Sequence, residues 1–166
     1  MKISWNPTQI KRYQDLRSRG HNMTWNERAK LCFPDSRLAD PISSEHLLQA
    51  EKAIGRAFPP ELQALLLESN GLFDDRGDWL VHSTEYMIPD ILGLWDIDDL
   101  YMHPKGMLVF GGPGDGDRYF FPVLPNGEYA DNIFQWSHED DSRQWIAESL
   151  KDFLYRASLE VDERYS

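Results

Sequence analysis

The change of sequence pattern at Gly71 is the feature that most constrains the fold of this chain. Before it, apolar residues recur every three to four positions, as they do along one face of a helix. After it come short apolar and aromatic runs separated by Gly, Pro and Asp, which are typical of strands and tight turns. Helices followed by strands, without alternation, indicate an α+β fold and argue against a parallel sheet of βαβ units.

Two consecutive helices are predicted before Gly71. Ser43 or Ser44 can cap the first helix, and Gly55 can end it. Pro59-Pro60 can start the second helix, because proline is tolerated in a first turn, and Asn70-Gly71 can end it. The two apolar stripes are Leu47, Leu48, Ala50 and Ile54 in the first helix, and Leu62, Leu65 and Leu66 in the second.

The N-terminal segment contains a third helical pattern. Asn6 is placed to cap a helix that has Pro7 in its first turn, with Gln9 positioned to reach back, and Gly20 is a stop signal. Residues 21–41 show no sustained period and contain two prolines, so the sequence predicts a linker or loop there. Residues 1–41 are therefore predicted to be a helical extension and linker.

Strands are predicted after Gly71. The segments are Trp79–Val81, Tyr86–Ile88, Ile91–Trp95, Met107–Gly111, Arg118–Val123 and Ile133–Trp136. The turn Pro125-Asn126-Gly127 favours antiparallel pairing, so we expect a single mostly antiparallel sheet of about four to six strands flanked by helices. A last helix is predicted to begin near Asp141 or Ser142, so that the main domain spans residues 42–158 and a tail follows over 159–166.

Length and composition exclude several protein classes. A chain of 166 residues with 41% hydrophobic residues can build one packed domain and leaves little room for a second. No apolar run reaches the roughly 18 residues of a membrane helix, and the N-terminus lacks the apolar region of a secretory signal. The expected location is the cytoplasm, with no membrane partner, and the single Cys32 cannot form an internal disulfide.

The charge is strongly negative and unevenly distributed. The chain carries 17 Lys and Arg against 28 Asp and Glu, which makes nucleic acid a poor partner. Residues 1–66 sum to +3, whereas residues 67–166 sum to −14. Two interpretations remain open: the acids only keep the protein soluble, or they form an acidic face for a basic protein partner.

The sequence predicts no catalytic residue, no metal site and no cofactor. The glycine-rich run Gly111–Asp117 does not suit phosphate, because Pro113 removes a donor and two carboxylates would repel the anion. The five histidines lack the spacing of a metal site, and no serine or cysteine lies in a nucleophile motif. Four tryptophans are expected to fill the core, with exposure at a protein interface as the alternative: Trp79, Trp95, Trp136 and Trp145.

Acidic residues on predicted loops and strand ends are the candidate partner-binding residues. Loops held by a rigid sheet often carry function, and an acidic field accelerates capture of a basic protein. The alternative is that these acids only cap turns. The candidates are Asp74, Asp75, Asp78, Asp115, Asp117, Glu139, Asp140 and Asp141.

A series of short sequence pieces lies in a fixed order between residues 42 and 156. The pieces are Ile42-Ser43, Ala50-Glu51, Ile54-Gly55, Phe58-Pro59-Pro60-Glu61-Leu62, Ser69-Asn70-Gly71, Leu108-Val109-Phe110-Gly111, Gly114-Asp115-Gly116-Asp117, Tyr119-Phe120, Trp136-Ser137-His138-Glu139, Ile146-Ala147-Glu148-Ser149-Leu150 and Phe153-Leu154. Taken together, these pieces resemble the SUKH superfamily, in particular its branch related to the fungal cell-wall assembly regulator. The resemblance covers roughly residues 42–156 and leaves residues 1–41 outside.

This resemblance implies a single α+β domain without enzymatic activity. Bacterial members of the family resemble immunity proteins, which bind and silence a cognate polymorphic toxin, often a nuclease or deaminase. The expected partner is therefore a toxin with a basic surface, bound by a monomer or weak dimer. The alternative is a cytoplasmic protein-binding regulatory or scaffold module of the cell-wall-regulator type.

Overall fold

A computed structural model describes residues 4–100 and 102–165 as an α+β fold with two antiparallel sheets. The helices are α1 (Pro7–Gly20), α2 (Trp25–Cys32), α3 (Ser44–Ile54), α4 (Pro60–Leu66), α5 (Thr84–Trp95) and α6 (Leu150–Tyr165), with a short 3-10 turn at Pro104–Gly106. The strands are β1 (Leu72–Phe73), β2 (Trp79–Val81), β3 (Met107–Gly111), β4 (Arg118–Pro122), β5 (Ile133–Trp136) and β6 (Arg143–Ala147).

The larger sheet has the strand order β3-β4-β5-β6, and every neighbouring pair is antiparallel. The predicted α+β class and antiparallel pairing are thereby confirmed. The sheet count differs from the expectation, because β1 and β2 form a separate two-stranded sheet. The His82 amide donates to the carbonyl oxygen of Phe110 at 2.8 Å and joins the two sheets. A Cβ at Gly111 would lie 1.9 Å from the carbonyl oxygen of Leu80, so this close approach requires glycine.

Aromatic side chains fill the space between the larger sheet and α6. Phe153 of α6 lies edge-on to Phe110 and Tyr119, with ring centroids 5.7 and 4.8 Å apart. Phe110 also packs on Phe121 at 5.1 Å. Such tilted and edge-to-face pairs add to the stabilisation that burial of the rings provides.

The predicted core members all lie in one continuous core. Phe110 is 1% exposed, Leu65 is fully buried, and Ile146 and Trp136 are only 4% and 6% exposed. The core therefore spans α4, the strands of the larger sheet and α6.

Helix α4 is buried along one face, and carboxylates at its two ends cap other helices. Leu62, Leu65 and Leu66 are fully buried. The Glu61 carboxylate accepts the amides of Leu150 and Lys151 at the start of α6, at 3.2 and 3.3 Å. Negative charge at a helix N-terminus is favourable, because the first amides lack partners within the helix.

The Glu68 carboxylate caps the N-terminus of α2 in the same way. Its two carboxylate oxygens each accept one amide, from Trp25 and from Asn26, at 3.0 Å. Thr24 and Glu27 add a capping box to the same helix end. The segment following α4 thus fixes where α2 begins.

The prediction of a loop over residues 21–41 is wrong for α2. Trp25, Ala29 and Cys32 form a buried face of this helix. Eight residues are too few for the periodic pattern to stand out, and the Glu68 contact that supports the helix is distant in sequence. The predicted capping box of Asn6 and Gln9 in α1 is confirmed.

Arg156 of α6 attaches the N-terminal segment to the sheet side of the fold. Its guanidinium lies over the rings of Trp5, Tyr13 and Trp145 at 4.9, 5.1 and 5.1 Å. Its Nε also donates to Asp152 at 2.7 Å. The cation–π contacts with Trp5 and Tyr13 hold the N-terminal segment against α6, and the ion pair within α6 fixes the position of the guanidinium.

Three further sequence predictions are corrected. Helix α5 replaces the strands predicted at Tyr86–Ile88 and Ile91–Trp95, and β6 occupies the predicted start of the last helix. Ser149 is the cap of α6, since its hydroxyl accepts the amide of Asp152 at 3.1 Å. Where a tail was predicted from residue 159, α6 continues to Tyr165, and Ser166 lies outside the described residues.

We predict that Leu65→Ala lowers the free energy of unfolding by about 2–5 kcal/mol, because it opens a cavity beside α4. Leu67→Ala is the matched control, because Leu67 is 39% exposed only two residues away. The control change should be clearly smaller, about 1 kcal/mol or less, because Leu67 leaves no closed cavity. Urea unfolding of both variants measures this, and equal losses would contradict the placement of Leu65 in the core.

Candidate protein-binding site

The eight candidate acids lie on three connections between strands. Asp74, Asp75 and Asp78 lie on the β1–β2 turn. The others lie on the β3–β4 loop and on the β5–β6 turn, at one end of the larger sheet. Some of these acids are buried in the local structure and others are exposed, and exposure decides which of them a partner can contact. Asp115 and Asp140 are exposed and also close their turns, because Oδ1 of each accepts the amide two residues further on, of Asp117 and Ser142, at 3.0 Å.

Asp74 is a structural residue of the β1–β2 turn. It is 1% exposed, and its Oδ1 accepts the amides of Arg76 and Asp78 at 2.8 and 3.0 Å. Its Oδ2 lies 2.7 Å from Nη2 of Arg76. The structure therefore uses this carboxylate to close the turn, as the turn-capping alternative described.

The two other acids of this turn differ in their surroundings. Asp75 is half-buried, and its Oδ1 accepts the amide of Asp35 at 2.7 Å, which attaches the turn to the segment after α2. Asp78 is exposed, and its Oδ2 lies 3.5 Å from Nη2 of Arg76. Asp78 is therefore the acid of this turn that is most open to a partner.

Asp117 joins the β3–β4 loop to the β5–β6 turn. Its Oδ1 lies 2.7 Å from Nδ1 of His138 and accepts the His138 amide at 3.2 Å, and its Oδ2 accepts from Gln135 at 3.2 Å. Burial acts to raise the pKa of Asp117, but the hydrogen bonds from His138 and Gln135 outweigh it and lower the pKa. The expectation that Asp115 is exposed is confirmed, whereas Asp117 exposes only 17% of its side chain.

Asp141 belongs to the β5–β6 turn, and its side chain is buried. Its Oδ1 accepts from Nε1 of Trp136 at 2.6 Å, and its Oδ2 accepts the amide of Met102 at 3.0 Å. Arg143 lies 3.3 Å away as an ion-pair partner. The φ angle of Asp141 is 60°, in the left-handed region, which Asp tolerates better than most residues. Asp141 therefore positions the turn, while its neighbours Glu139 and Asp140 are exposed.

A groove of about 260 Å³ opens between α5 and this end of the larger sheet, and we refer to it as the α5 groove. Its helix side is lined by Pro89, Asp90, Gly93, Leu94 and Ile97. Its sheet side is lined by Gly116, Arg118, Trp136 and His138. The β3–β4 loop and the β5–β6 turn therefore both border one concave site.

The charged groups inside the α5 groove are paired with each other. Nε and Nη2 of Arg118 donate to the two carboxylate oxygens of Asp90 at 2.7 and 2.9 Å. Nη1 of Arg118 donates to the carbonyl oxygen of Gly116 at 2.7 Å. This bidentate pair connects α5 to the β3–β4 loop and satisfies both charges.

Gly116 allows the two loops to meet at the groove. Its φ is +105°, and a Cβ at this position would lie 2.9 Å from Nδ1 of His138. A side chain here would be strained and would push His138 away from Asp117. The glycine therefore has a positional role in the site rather than a phosphate-binding one.

Exposed acids surround the α5 groove. Asp115 lies on the β3–β4 loop, and Glu139 and Asp140 lie on the β5–β6 turn. The segment after α5 adds three exposed acids that sequence reasoning did not single out as site residues: Asp96, Asp98 and Asp99. Because Met102 of that segment donates its amide to Asp141, the segment lies against the β5–β6 turn.

The acidic surface continues from the groove to the β1–β2 turn. Gly112 and Pro113 of the β3–β4 loop line a small pocket together with Asp74, Asp78 and Glu160. The opposite part of the same loop, Gly116, lines the α5 groove. One loop thus borders both groups of candidate acids, and we call the combined surface the acidic face.

Within residues 4–100 and 102–165, no group of three or more His, Cys, Asp or Glu side chains is arranged to hold a metal ion. Burial raises the pKa of Cys32 to about 12, so the thiol is not ionised at neutral pH. In the same part of the chain, the helices are too short or too polar to cross a bilayer.

We predict that Asp141→Asn lowers the free energy of unfolding by about 1–3 kcal/mol at pH 7, because the NH2 group that replaces one carboxylate oxygen cannot accept a hydrogen bond, so one buried donor is left without an acceptor and the ion pair with Arg143 is lost. Asn keeps the left-handed backbone, and Asp140→Asn on the exposed neighbour is the matched control. Burial acts to raise the pKa of Asp141, but the Met102, Trp136 and Arg143 contacts lower it.

The sign of the pH dependence follows from this lowered pKa. The stabilisation by Asp141 is present above its unfolded pKa of about 3.9 and is lost as the pH falls through the lower folded value. The difference between wild type and Asp141→Asn in urea unfolding should therefore shrink progressively as the pH falls below about 3.9. An undiminished difference at low pH would contradict the role of the carboxylate charge.

Comparison with known proteins identifies a family. The model of the SUKH_6 family, described as SMI1-KNR4 cell-wall, matches residues 44–154, which is more than half of the chain. The match includes α5, the larger sheet and all the loops of the acidic face, whereas α1 and α2 lie outside it. No curated protein matches the chain.

Proposed function

We propose that this chain, a member of the SUKH superfamily, is an immunity protein that binds and neutralises a basic polymorphic toxin. Its membership follows from the match to the SMI1-KNR4 family. The family comprises immunity proteins and cell-wall regulators, which are generally protein-binding and non-enzymatic. Beyond what the family comprises, we propose that the partner is a toxin. It is a nuclease or deaminase type of protein with a cationic surface.

The acidic face is the observation that supports this proposal. Asp96, Asp98, Asp99, Asp115, Glu139 and Asp140 are all exposed around the α5 groove. Carboxylates that share one surface sum to a field that attracts a basic protein and accelerates its association. Proteins that act on nucleic acid carry such basic surfaces, because they must hold phosphates. Covering that surface would neutralise the toxin.

The structural acids give this face a fixed shape. Asp74, Asp117 and Asp141 hold its turns by accepting backbone amides, and the Asp90–Arg118 pair connects α5 to the β3–β4 loop. A pre-organised surface loses little conformational entropy on binding, which favours tight association. Exposed acids on pre-organised turns are therefore suited to bind a partner quickly and to keep it bound.

A regulatory or scaffold module of the cell-wall-regulator type is the second candidate. The description of the matching family as cell-wall favours it. Both candidates would use the same protein-binding face, so the partner discriminates between them. A gene encoding a toxin directly upstream of this one, whose product is lethal alone and harmless when the two are co-expressed, would support the immunity proposal.

We predict that Asp115→Lys combined with Glu139→Lys slows association with the toxin encoded beside this gene and flattens its salt dependence. Both side chains are exposed, so the change in stability should be under about 1 kcal/mol. Asp117 is left intact, because its contacts with His138 hold the two loops together. Stopped-flow association rates at low and high salt measure the effect, since the screening length is about 8 Å at physiological salt.

The matched control reverses two acids at the other end of the same strands. Glu128 and Asp131 are exposed on the β4–β5 connection, so Glu128→Lys with Asp131→Lys makes the same change in net charge. The acidic-face variant should associate more slowly than this control. Equal rates with equal salt slopes would place the interface elsewhere, even if the chain neutralises the toxin.

A further inference from the structure

We propose that the α5 groove receives one apolar side chain from a basic segment of the partner, so that the toxin is anchored as well as attracted. This inference rests on the proposed function and names the recognition element of the same site. It concerns the inside of the groove, whereas the proposed function concerns the charge around it.

The groove offers an apolar floor in which the polar groups are already satisfied. Leu94 and Trp136 are 7% and 6% exposed, and Ile97 is half-buried beside them. Arg118 and Asp90 are paired across the groove, and Asp117 accepts from His138. A charged side chain entering the groove would find no free counter-charge among the lining residues and would lose hydration. An apolar side chain would displace water from apolar surface instead.

The outer face of α5 extends this apolar surface beyond the groove. Tyr86 is 54% exposed and Leu92 is 42% exposed, although both lie on a helix otherwise packed against the core. Pro89 is exposed between them and also lines the groove. Exposed apolar residues beside an apolar groove and rimmed by polar residues are typical of a protein interface.

The charge around the α5 groove indicates which kind of partner segment can bind in it. The groove opens among exposed carboxylates, so residues flanking the inserted side chain should be Lys or Arg. A second copy of this chain is disfavoured as occupant, because it would bring the same acidic rim, on a molecule of net charge −11, against this one. The volume of about 260 Å³ lies just below the range of about 300–1,000 Å³ usual for small-molecule sites and suits a single large side chain.

The experiment fills the groove without disturbing the fold. A Cβ at Gly93 meets no atom within 4 Å, and glycine is unfavourable within a helix, so Gly93→Trp should place an indole at the groove without loss of folding. Leu48→Trp is the matched control, because Leu48 is 66% exposed on α3 and does not line the groove. Thermal unfolding verifies that both variants are folded.

The probes are two synthetic peptides of lysine and alanine that differ only at the central residue, which is leucine or serine. Binding is followed by NMR titration of the backbone amides and of the Trp136 indole N–H. We expect the leucine peptide to shift the Trp136 and Gly116 signals and to bind about tenfold more tightly than the serine peptide. Gly93→Trp should abolish this preference, and Leu48→Trp should retain it.

Two results of the peptide titrations would overturn the inference. The first is equal binding of both peptides, which would mean that charge alone recognises the segment. The second is an unchanged leucine preference in Gly93→Trp. Growth protection against the adjacent toxin distinguishes this inference from the proposed function: full protection by Gly93→Trp would overturn the anchor and leave the immunity role standing. Failure of the wild-type chain to protect would overturn the immunity role, while the peptides would still decide whether the groove selects an apolar residue.

Discussion

The capping of two helices by carboxylates of one short segment is the interaction on which the rest of the structure depends. Glu61 accepts the first amides of α6, and Glu68 accepts the first amides of α2. Between them, α4 buries Leu65 and its neighbours, so the position of one seven-residue helix sets that of two longer ones. Helix α6 then brings Phe153 against the sheet, and the sheet presents the loops of the acidic face.

The same residue type serves two purposes in this protein, and surroundings rather than sequence separate them. Asp74 and Asp141 are buried and accept backbone amides, so their charge stabilises turns. Asp98 and Glu139 are exposed near turns built in this way, so their charge contributes to the electrostatic field that a partner in solution meets. The net charge of −11 therefore overstates the field available to a partner, and the placement of the exposed acids matters more.

The sequence predicts the fold class, most strands of the larger sheet and the core, because burial imposes a regular pattern. It misreads α5, because Pro89 and Gly93 break the helical pattern that Met87, Ile91 and Leu94 retain. Ser83 as a cap was the signal that could have indicated this helix, just as Ser149 with Asp152 could have indicated the true start of α6. The α5 groove could not be predicted, since its residues come together only when α5 packs beside the sheet.

Hydrogen–deuterium exchange of the chain, alone and bound to the toxin encoded beside it, measures whether the acidic face is the binding surface. We expect slower exchange in the complex at residues 90–99, 112–118 and 137–142, with little change in α1 and α2. Protection confined to α1 and α2, with these loops unaffected, would contradict it.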